Sequence, residues 1–311
     1  MTIPIVFAFD KNLVMPACVC ISSLLMNANK DTSYDIFILH PASQTMNETN
    51  LVKLPEYYDN CKLTFRPVGG EFDNAFEIRG ITTPAYYRLL IPEIIPEYDK
   101  IIYSDVDVIF RSDLTETFEN TDMTDCCFAG VKSLAQFVPS YKKYYEKEIG
   151  ISPEDIIYSG NLIINSEEIR KRNLVNRFRE LAKNKYMFQD MDILNIACNG
   201  RIKYLGPDFC FTTFINQLAV EDFDSLTPIW NKKSIEKAFA SGIVHYNGNK
   251  PWKDFCINFD IWWEYYRKSP FFDEKFYFDF FYRKINDYDL LPLWKRVKIL
   301  LRYFVYGRRI V

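Results

Sequence analysis

From Ile3 to about residue 170, short apolar runs with strand character alternate with longer mixed segments. Few architectures satisfy that alternation, and the simplest is a largely parallel α/β sheet with helical crossovers. Ile3 to Phe9 is the first predicted strand, and Pro16 to Met26 a helix, since proline is tolerated in a first helical turn. Tyr34 to His40 and Leu63 to Val68 read as further strands, Pro84 to Ile91 as a helix, and Lys100 to Phe110 as one continuous strand. Ser112 and Asp113 are suited to cap a following helix. Leu162 to Asn165 is another strand, after which Ser166 and Glu168 open a charged helix. Beyond Asn199 the pattern becomes irregular. With 311 residues, 48% of them hydrophobic, and no internal repeat, the chain divides most simply into one domain over 1–270 and an extension over 271–311.

Charge and cysteine usage narrow the function classes. A formal net charge of -3 argues against a nucleic-acid partner held by a broad basic surface. The eight cysteines form no C-x-x-C knuckle, so buried reduced thiols are expected rather than a structural zinc. The N-terminal Met-Thr-Ile-Pro runs straight into a strand without a basic, apolar and small-residue leader pattern, and no apolar run approaches the ~18 residues of a membrane span. A reducing cytoplasmic location is the expectation.

Within Ile101-Ile-Tyr-Ser-Asp105-Val-Asp107-Val-Ile-Phe110, two acids one residue apart interrupt an apolar run. On a strand both would project to the same face, where two carboxylates repel unless they share a proton or a cation. Solvated acids at a strand end are the plain alternative. A phosphatase using D-x-D after an apolar strand is another, although such motifs normally lie near the N-terminus.

Far downstream, Gly242-Ile-Val-His245-Tyr-Asn-Gly248-Asn-Lys250-Pro-Trp252 places one of only two histidines just after an apolar strand. Imidazole suits a divalent metal, lysine suits phosphate, and Gly248 permits close backbone approach to a ligand. By itself this could be a surface turn. Together with the paired acids it points to a metal and diphosphate site.

These motifs, in order, resemble the family 8 glycosyltransferases, retaining enzymes of the GT-A (Rossmann-like nucleotide-diphospho-sugar transferase) fold. Val6-Phe-Ala8-Phe-Asp10-Lys-Asn12 is similar to the family's opening strand and loop. Ala85-Tyr-Tyr-Arg88-Leu and Tyr98 to Asp107 resemble its arginine and D-x-D segments. Ser159-Gly160-Asn-Leu-Ile-Ile-Asn165 resembles its sugar-side strand, Gln189-Asp190-Met-Asp192-Ile-Leu-Asn195 its D-Q-D-x-L-N segment, and His245 to Trp252 its closing H-x-x-G-x-x-K-P-W. The resemblance covers residues 3 to 253.

The resemblance implies an α/β fold with a mixed, mostly parallel sheet flanked by helices and a C-terminal helical extension. It also implies transfer of glucose or galactose from a UDP-hexose to a saccharide acceptor, a bacterial surface glycan such as lipopolysaccharide by default. Asp105, Asp107 and His245 would hold Mn2+ or Mg2+. Ala8, Asp10, Asn12, Arg88, Asp105, Val106, Gly248 and Lys250 would contact the nucleotide donor. Asp190 would bind hydroxyls of the transferred hexose, and Arg88 would pair with the diphosphate or position Asp190. Met191 stands where the family has a glutamine, and a thioether cannot act as that residue's nucleophile, so front-face attack is the expected route to retention. Leu13 replaces an aromatic that stacks on uracil in many relatives, and Tyr158 replaces an asparagine beside the sugar. A catalytically silent, metal-dependent sugar-nucleotide or glycan-binding scaffold is the rival reading.

The last stretch, residues 294–311, contains no acid. At helical spacing Trp294, Val297, Leu300, Leu301, Phe304 and Val305 share a face beside Lys295, Lys298 and Arg302. That pattern predicts an interfacial helix making a peripheral contact with an anionic membrane, on the cytoplasmic face of the inner membrane. Packing on the domain or a dimer contact are the alternatives, and the oligomeric state is not legible.

Overall fold

The computed structural model describes residues 1–72, 75–78 and 82–306. Its strands are β1 (Thr2–Ala8), β2 (Ser33–Pro41), β3 (Cys61–Val68), β4 (Lys100–Ser104), β5 (Val108–Ile109), β6 (Phe128–Lys132), β7 (Ile157–Asn165), β8 (Ile202–Tyr204), β9 (Phe211–Thr212) and β10 (Val244–His245). Seven form one sheet in the order β3-β2-β1-β4-β7-β6-β8. The pairs β1·β2, β2·β3, β1·β4 and β6·β8 are parallel, whereas β7 runs antiparallel to both β4 and β6. The expected mixed, mostly parallel sheet flanked by helices is therefore present.

Both faces of this sheet are covered, which is why its strands read as nearly unbroken apolar runs. Ile3, Ile5 and Phe7 of β1 enter one core with Ile36, Ile38 and Ile102. Val6 and Ala8 enter the other with Phe37, Leu39, Ile101 and Tyr103. The chain builds outward from β1 through β2 to β3, then returns to add β4 on the other side of β1. That reversal leaves a crevice beyond the carboxyl ends of β1 and β4, the usual ligand position in such sheets.

Three expectations are corrected. Lys100 to Phe110 is not one strand: β4 stops at Ser104, and β5 belongs to a small second sheet ordered β5-β10-β9. Asp105 N–H still bonds Gly160 O at 2.7 Å, while Asp107 O accepts from Tyr246 N at 2.9 Å, so the chain changes sheets across these three residues. Strand alternation therefore does not bring the two acids together; the crossing between sheets does. The segment Pro84 to Ile91 is a run of 3₁₀ turns over Thr83–Leu90 followed by a short helix Ile91–Ile94, each opened by a proline near its start. Beyond Asn199 the chain is not irregular. Helices occupy Thr213–Glu221, Phe223–Leu226, Lys232–Ser241, Phe259–Lys268, Glu274–Asp289 and Leu293–Tyr306. Most are short or carry apolar residues on more than one face, which weakens their periodicity.

The C-terminal helices differ in environment. Phe280 of Glu274–Asp289 is buried with its ring 4.7 Å from that of Trp263, in a cluster that includes Trp262, Tyr266 and Trp252. By contrast Leu293, Trp294, Leu300, Leu301, Phe304 and Val305 of the last helix are all exposed. Residues 307–311 of the proposed membrane tail lie outside the described residues. No helix among the described residues is long and apolar enough to cross a membrane.

Candidate active site

A cavity of about 630 Å³ occupies the crevice beyond β1 and β4. Ala8, Asp10 and Leu13 line it from the first loop, with Phe9 beside them. Asp105, Val106 and Asp107 come from the crossing between sheets, and His245, Gly248 and Lys250 from the segment after β10. Arg88, Asp190 and Met191 line it as well. Asn12 is exposed and is not among the lining residues; its N–H donates to Asp10 Oδ1 at 2.9 Å.

Asp105, Asp107 and His245 each direct a ligand-type atom into one group, all within 4.8 Å of one another. His245 Nε2 lies 3.3 Å from Asp107 Oδ1 and 3.7 Å from Asp105 Oδ2, and its Nδ1 is 3.4 Å from Cys210 Sγ. Lys250 Nζ rests on Asp107 Oδ2 at 2.5 Å and on Tyr246 O at 2.6 Å. Burial opposes charge on both Asp107 and His245, but attraction to their neighbours prevails. Lys250 first, and His245 after it, hold Asp107 well below the carboxylate range, while Asp107, with Cys210, raises His245 to about 10. A proton and an ammonium thus stand against these acids, charge that a divalent cation can supply instead. Two carboxylates and an imidazole are a suitable donor set for Mn2+ or Mg2+.

The backbone leaves room for this group at Gly160 of β7. A Cβ there would fall 2.3 Å from His245 Cε1 and 2.8 Å from Asp105 Oδ2. A glycine inside a buried strand is the sequence signal for such an approach, but the motif alone does not say what approaches.

Arg88 joins the metal-type group to Asp190. Only 5% exposed, it donates to Asp105 Oδ1 at 2.9 Å and to Ser159 O at 2.5 Å, and its Nε lies 3.2 Å from Asp190 Oδ2. Its guanidinium stacks 4.3 Å from the centre of the Tyr103 ring, whose hydroxyl donates to Asp105 Oδ1 at 2.7 Å. Arg88 Nε also donates to Ala85 O at 2.8 Å, and Arg88 lines the cavity, so both roles expected for it, pairing with the diphosphate and positioning Asp190, stay open. Asp190 is buried, and burial pushes its carboxyl up to about 6 despite Arg88. Its Oδ2 has no hydrogen bond among the described residues.

Sequence reasoning missed the aromatic side of the cavity, formed by Tyr141, Tyr145, Phe188 and Phe214. In a chain that is 17% aromatic, no local pattern separates these from core rings. The family model described as Glycosyl transferase family 8 matches residues 4–256. This chain belongs to glycosyl transferase family 8. A Haemophilus influenzae protein that carries a glycosyltransferase name is 27% identical over 295 residues, covering 87% of this chain and 84% of that one. General stress protein A of Bacillus subtilis is 24% identical over 266 residues, covering 82% and 85%. Among solved structures, the galactosyltransferase LgtC in complex with donor and acceptor sugar analogues has a TM-score of 0.70 at 25% identity, covering 88% of this chain and 98% of LgtC. The bifunctional glycosyltransferase WbbM has the same fold, with a TM-score of 0.69 at 24% identity, covering 89% of this chain but only 51% of WbbM. The family 8 chain is thus a glycosyltransferase with the GT-A architecture.

Proposed function

We propose that this family 8 glycosyltransferase is a retaining, metal-dependent hexosyltransferase that moves glucose or galactose from a UDP-sugar to a saccharide acceptor. The observation that carries the reading is the convergence of Asp105, Asp107 and His245 in a cavity that the Arg88-paired Asp190 also lines. LgtC, a galactosyltransferase that accommodates donor and acceptor sugar analogues, supports the substrate class.

In this reading Phe9, Asp10 and Leu13 bound the nucleotide, and Val106 and Gly248 let backbone approach it. A divalent ion held by Asp105, Asp107 and His245 would neutralise charge gathering on the leaving diphosphate. Lys250 exchanges Asp107 Oδ2 for a phosphate oxygen and adds its own charge. Asp190 accepts hydrogen bonds from the hexose hydroxyls and holds the anomeric carbon towards the acceptor. Met191 lines the cavity and offers no nucleophile. The acceptor hydroxyl therefore attacks from the face the diphosphate leaves: its C–O bond forms as the sugar–phosphate bond breaks, and its proton passes to a phosphate oxygen.

The same reading makes the acceptor a bacterial surface glycan and places the enzyme in the cytoplasm, peripheral on the inner membrane through residues 294–311. The exposed apolar residues of Leu293–Tyr306, beside Lys295, Lys298 and Arg302, support that placement. The deciding experiment measures UDP release from UDP-glucose, UDP-galactose and their N-acetyl forms, with Mn2+ and with EDTA, for wild type and Asp107→Asn. Metal-dependent release from one hexose donor, lost in Asp107→Asn, is expected. Tight UDP binding with no release from any donor would make the chain a silent scaffold, and full activity in EDTA would remove the metal.

A further inference from the structure

The 190–192 stretch carries a second acid that the proposed chemistry leaves unused. Asp192 is fully buried, and its carboxylate is held from three directions. Tyr144 OH donates to Oδ2 at 2.7 Å, Tyr145 OH to Oδ1 at 2.8 Å, and the Phe188 N–H to Oδ2 at 2.9 Å. Tyr144 OH also accepts the Met187 N–H at 3.0 Å. One carboxylate therefore ties the chain leading into helix Asp190–Ala197 to a distant segment, where helix Pro139–Tyr144 runs into a wide turn over Tyr145–Ile149.

What it ties is a bent piece of backbone. Gln189 has φ 49° and ψ -118°, a region that a residue with a Cβ adopts only when its surroundings over-determine it. Its side-chain Nε2 donates to Phe76 O at 2.7 Å, and Met191 N–H returns to Phe188 O at 3.0 Å. The next two residues are Asp190 and Met191, both lining the cavity. A shift at the bend moves both, and the Asp192 contacts are what resist such a shift from the aromatic side.

We propose that Asp192, through Tyr144 and Tyr145, is a positioning residue that fixes Asp190 and Met191 against the donor sugar, so that hexose selectivity depends on a carboxylate that does not touch the substrate. This rests on the reading of Asp190 as the residue that binds the hexose hydroxyls. The Asp192 contacts reach residues 187 and 188, whereas Asp105, Asp107 and His245 are held by β7, β10 and Arg88; Arg88, which touches both Asp105 and Asp190, is the link between the hexose side and the nucleotide side.

The test uses Tyr144→Phe, Tyr145→Phe and the double variant in the full chain, with Asp190→Asn alongside. Tyr144→Phe is the cleanest because Tyr144 is not among the cavity-lining residues. UDP affinity in Mn2+ should stay within about twofold of wild type, while kcat falls roughly tenfold in each single variant and roughly a hundredfold in the double, the scale of a misplaced reacting group. The ratio of kcat/KM between UDP-galactose and UDP-glucose should move towards one. A role confined to packing would lower thermal stability, weaken UDP and UDP-hexose binding together, and leave that ratio unchanged, and such a result would overturn the proposal. Wild-type kcat and selectivity in the double variant, with Asp190→Asn inactive, would overturn the positioning role alone. Full activity in Asp190→Asn would remove the role of Asp190, and the positioning role with it.

Discussion

At the residue scale, two positions carry predictions that follow from contacts rather than from motif membership. Gly160 leaves no space for a side chain beside His245 and Asp105. Gly160→Ala should keep the fold, since paired positions of β7 at Ile157 and Asn161 flank it, but displace the imidazole and lower Mn2+-dependent activity by roughly a hundredfold or more. Mn2+ titration of the folded variant should show the same loss, and wild-type metal affinity would contradict the close approach. Asp190 gives a pH prediction. Burial raises its folded carboxyl to about 6 from an ordinary value of 3.8, so between these values the folded chain keeps a proton that the unfolded chain has released. The residue thus favours the fold below about pH 4 and loses that contribution as the pH rises through about 6. Asp190→Asn stays neutral throughout, so in metal-free buffer its unfolding free energy should gain on wild type by about 2 kcal/mol between pH 4 and pH 7.5. Chemical denaturation at the two pH values measures this, and a gap independent of pH would refute the raised carboxyl.

At the element scale, the two last helices make opposite predictions. Phe280 fixes Glu274–Asp289 to the domain through Trp263, and Phe280→Ala should cost about 3–5 kcal/mol, the usual range for a large aromatic lost from a packed site. Denaturant unfolding reads this directly, and a loss under about 1 kcal/mol would mean the helix is not part of the cooperative unit. Leu293–Tyr306 exposes its apolar residues instead. Ending the chain after Asp289 should leave stability and UDP release in solution nearly unchanged and abolish co-sedimentation with anionic liposomes. Binding of the full chain should weaken with salt, each cation near an anionic surface contributing about 1 kcal/mol. Equal sedimentation of both chains would remove the helix as the contact.

For the whole molecule, one cavity joins two sheets and several chain segments distant in sequence, so ligands should stabilise it cooperatively. UDP with Mn2+ should raise the unfolding free energy by about 3 kcal/mol at a hundredfold excess over Kd, and either alone by much less. Thermal unfolding with each combination, and with EDTA, checks this; additive effects would separate the metal from the nucleotide. Much of this architecture was legible beforehand, because a sheet covered on both faces writes its strands as apolar runs, as β1 and β2 do, and because Asp105, Asp107, Arg88 and His245 fall in ordered motifs. The helices between Thr213 and Asp289 were not, since most are short or carry apolar residues on more than one face, nor was the crossing between sheets at Asp105–Asp107, which depends on a hydrogen bond to Gly160 and pairing with β10. The sequence by itself determined the fold class, the family and the identity of the chemical groups, because those depend on local pattern and motif order. Only the tertiary structure decided which atoms meet: that Arg88 spans Asp105 and Asp190, that Lys250 rests on Asp107, and that Asp192 is locked by two tyrosines, because each contact joins residues whose separation in sequence carries no record of their distance in space.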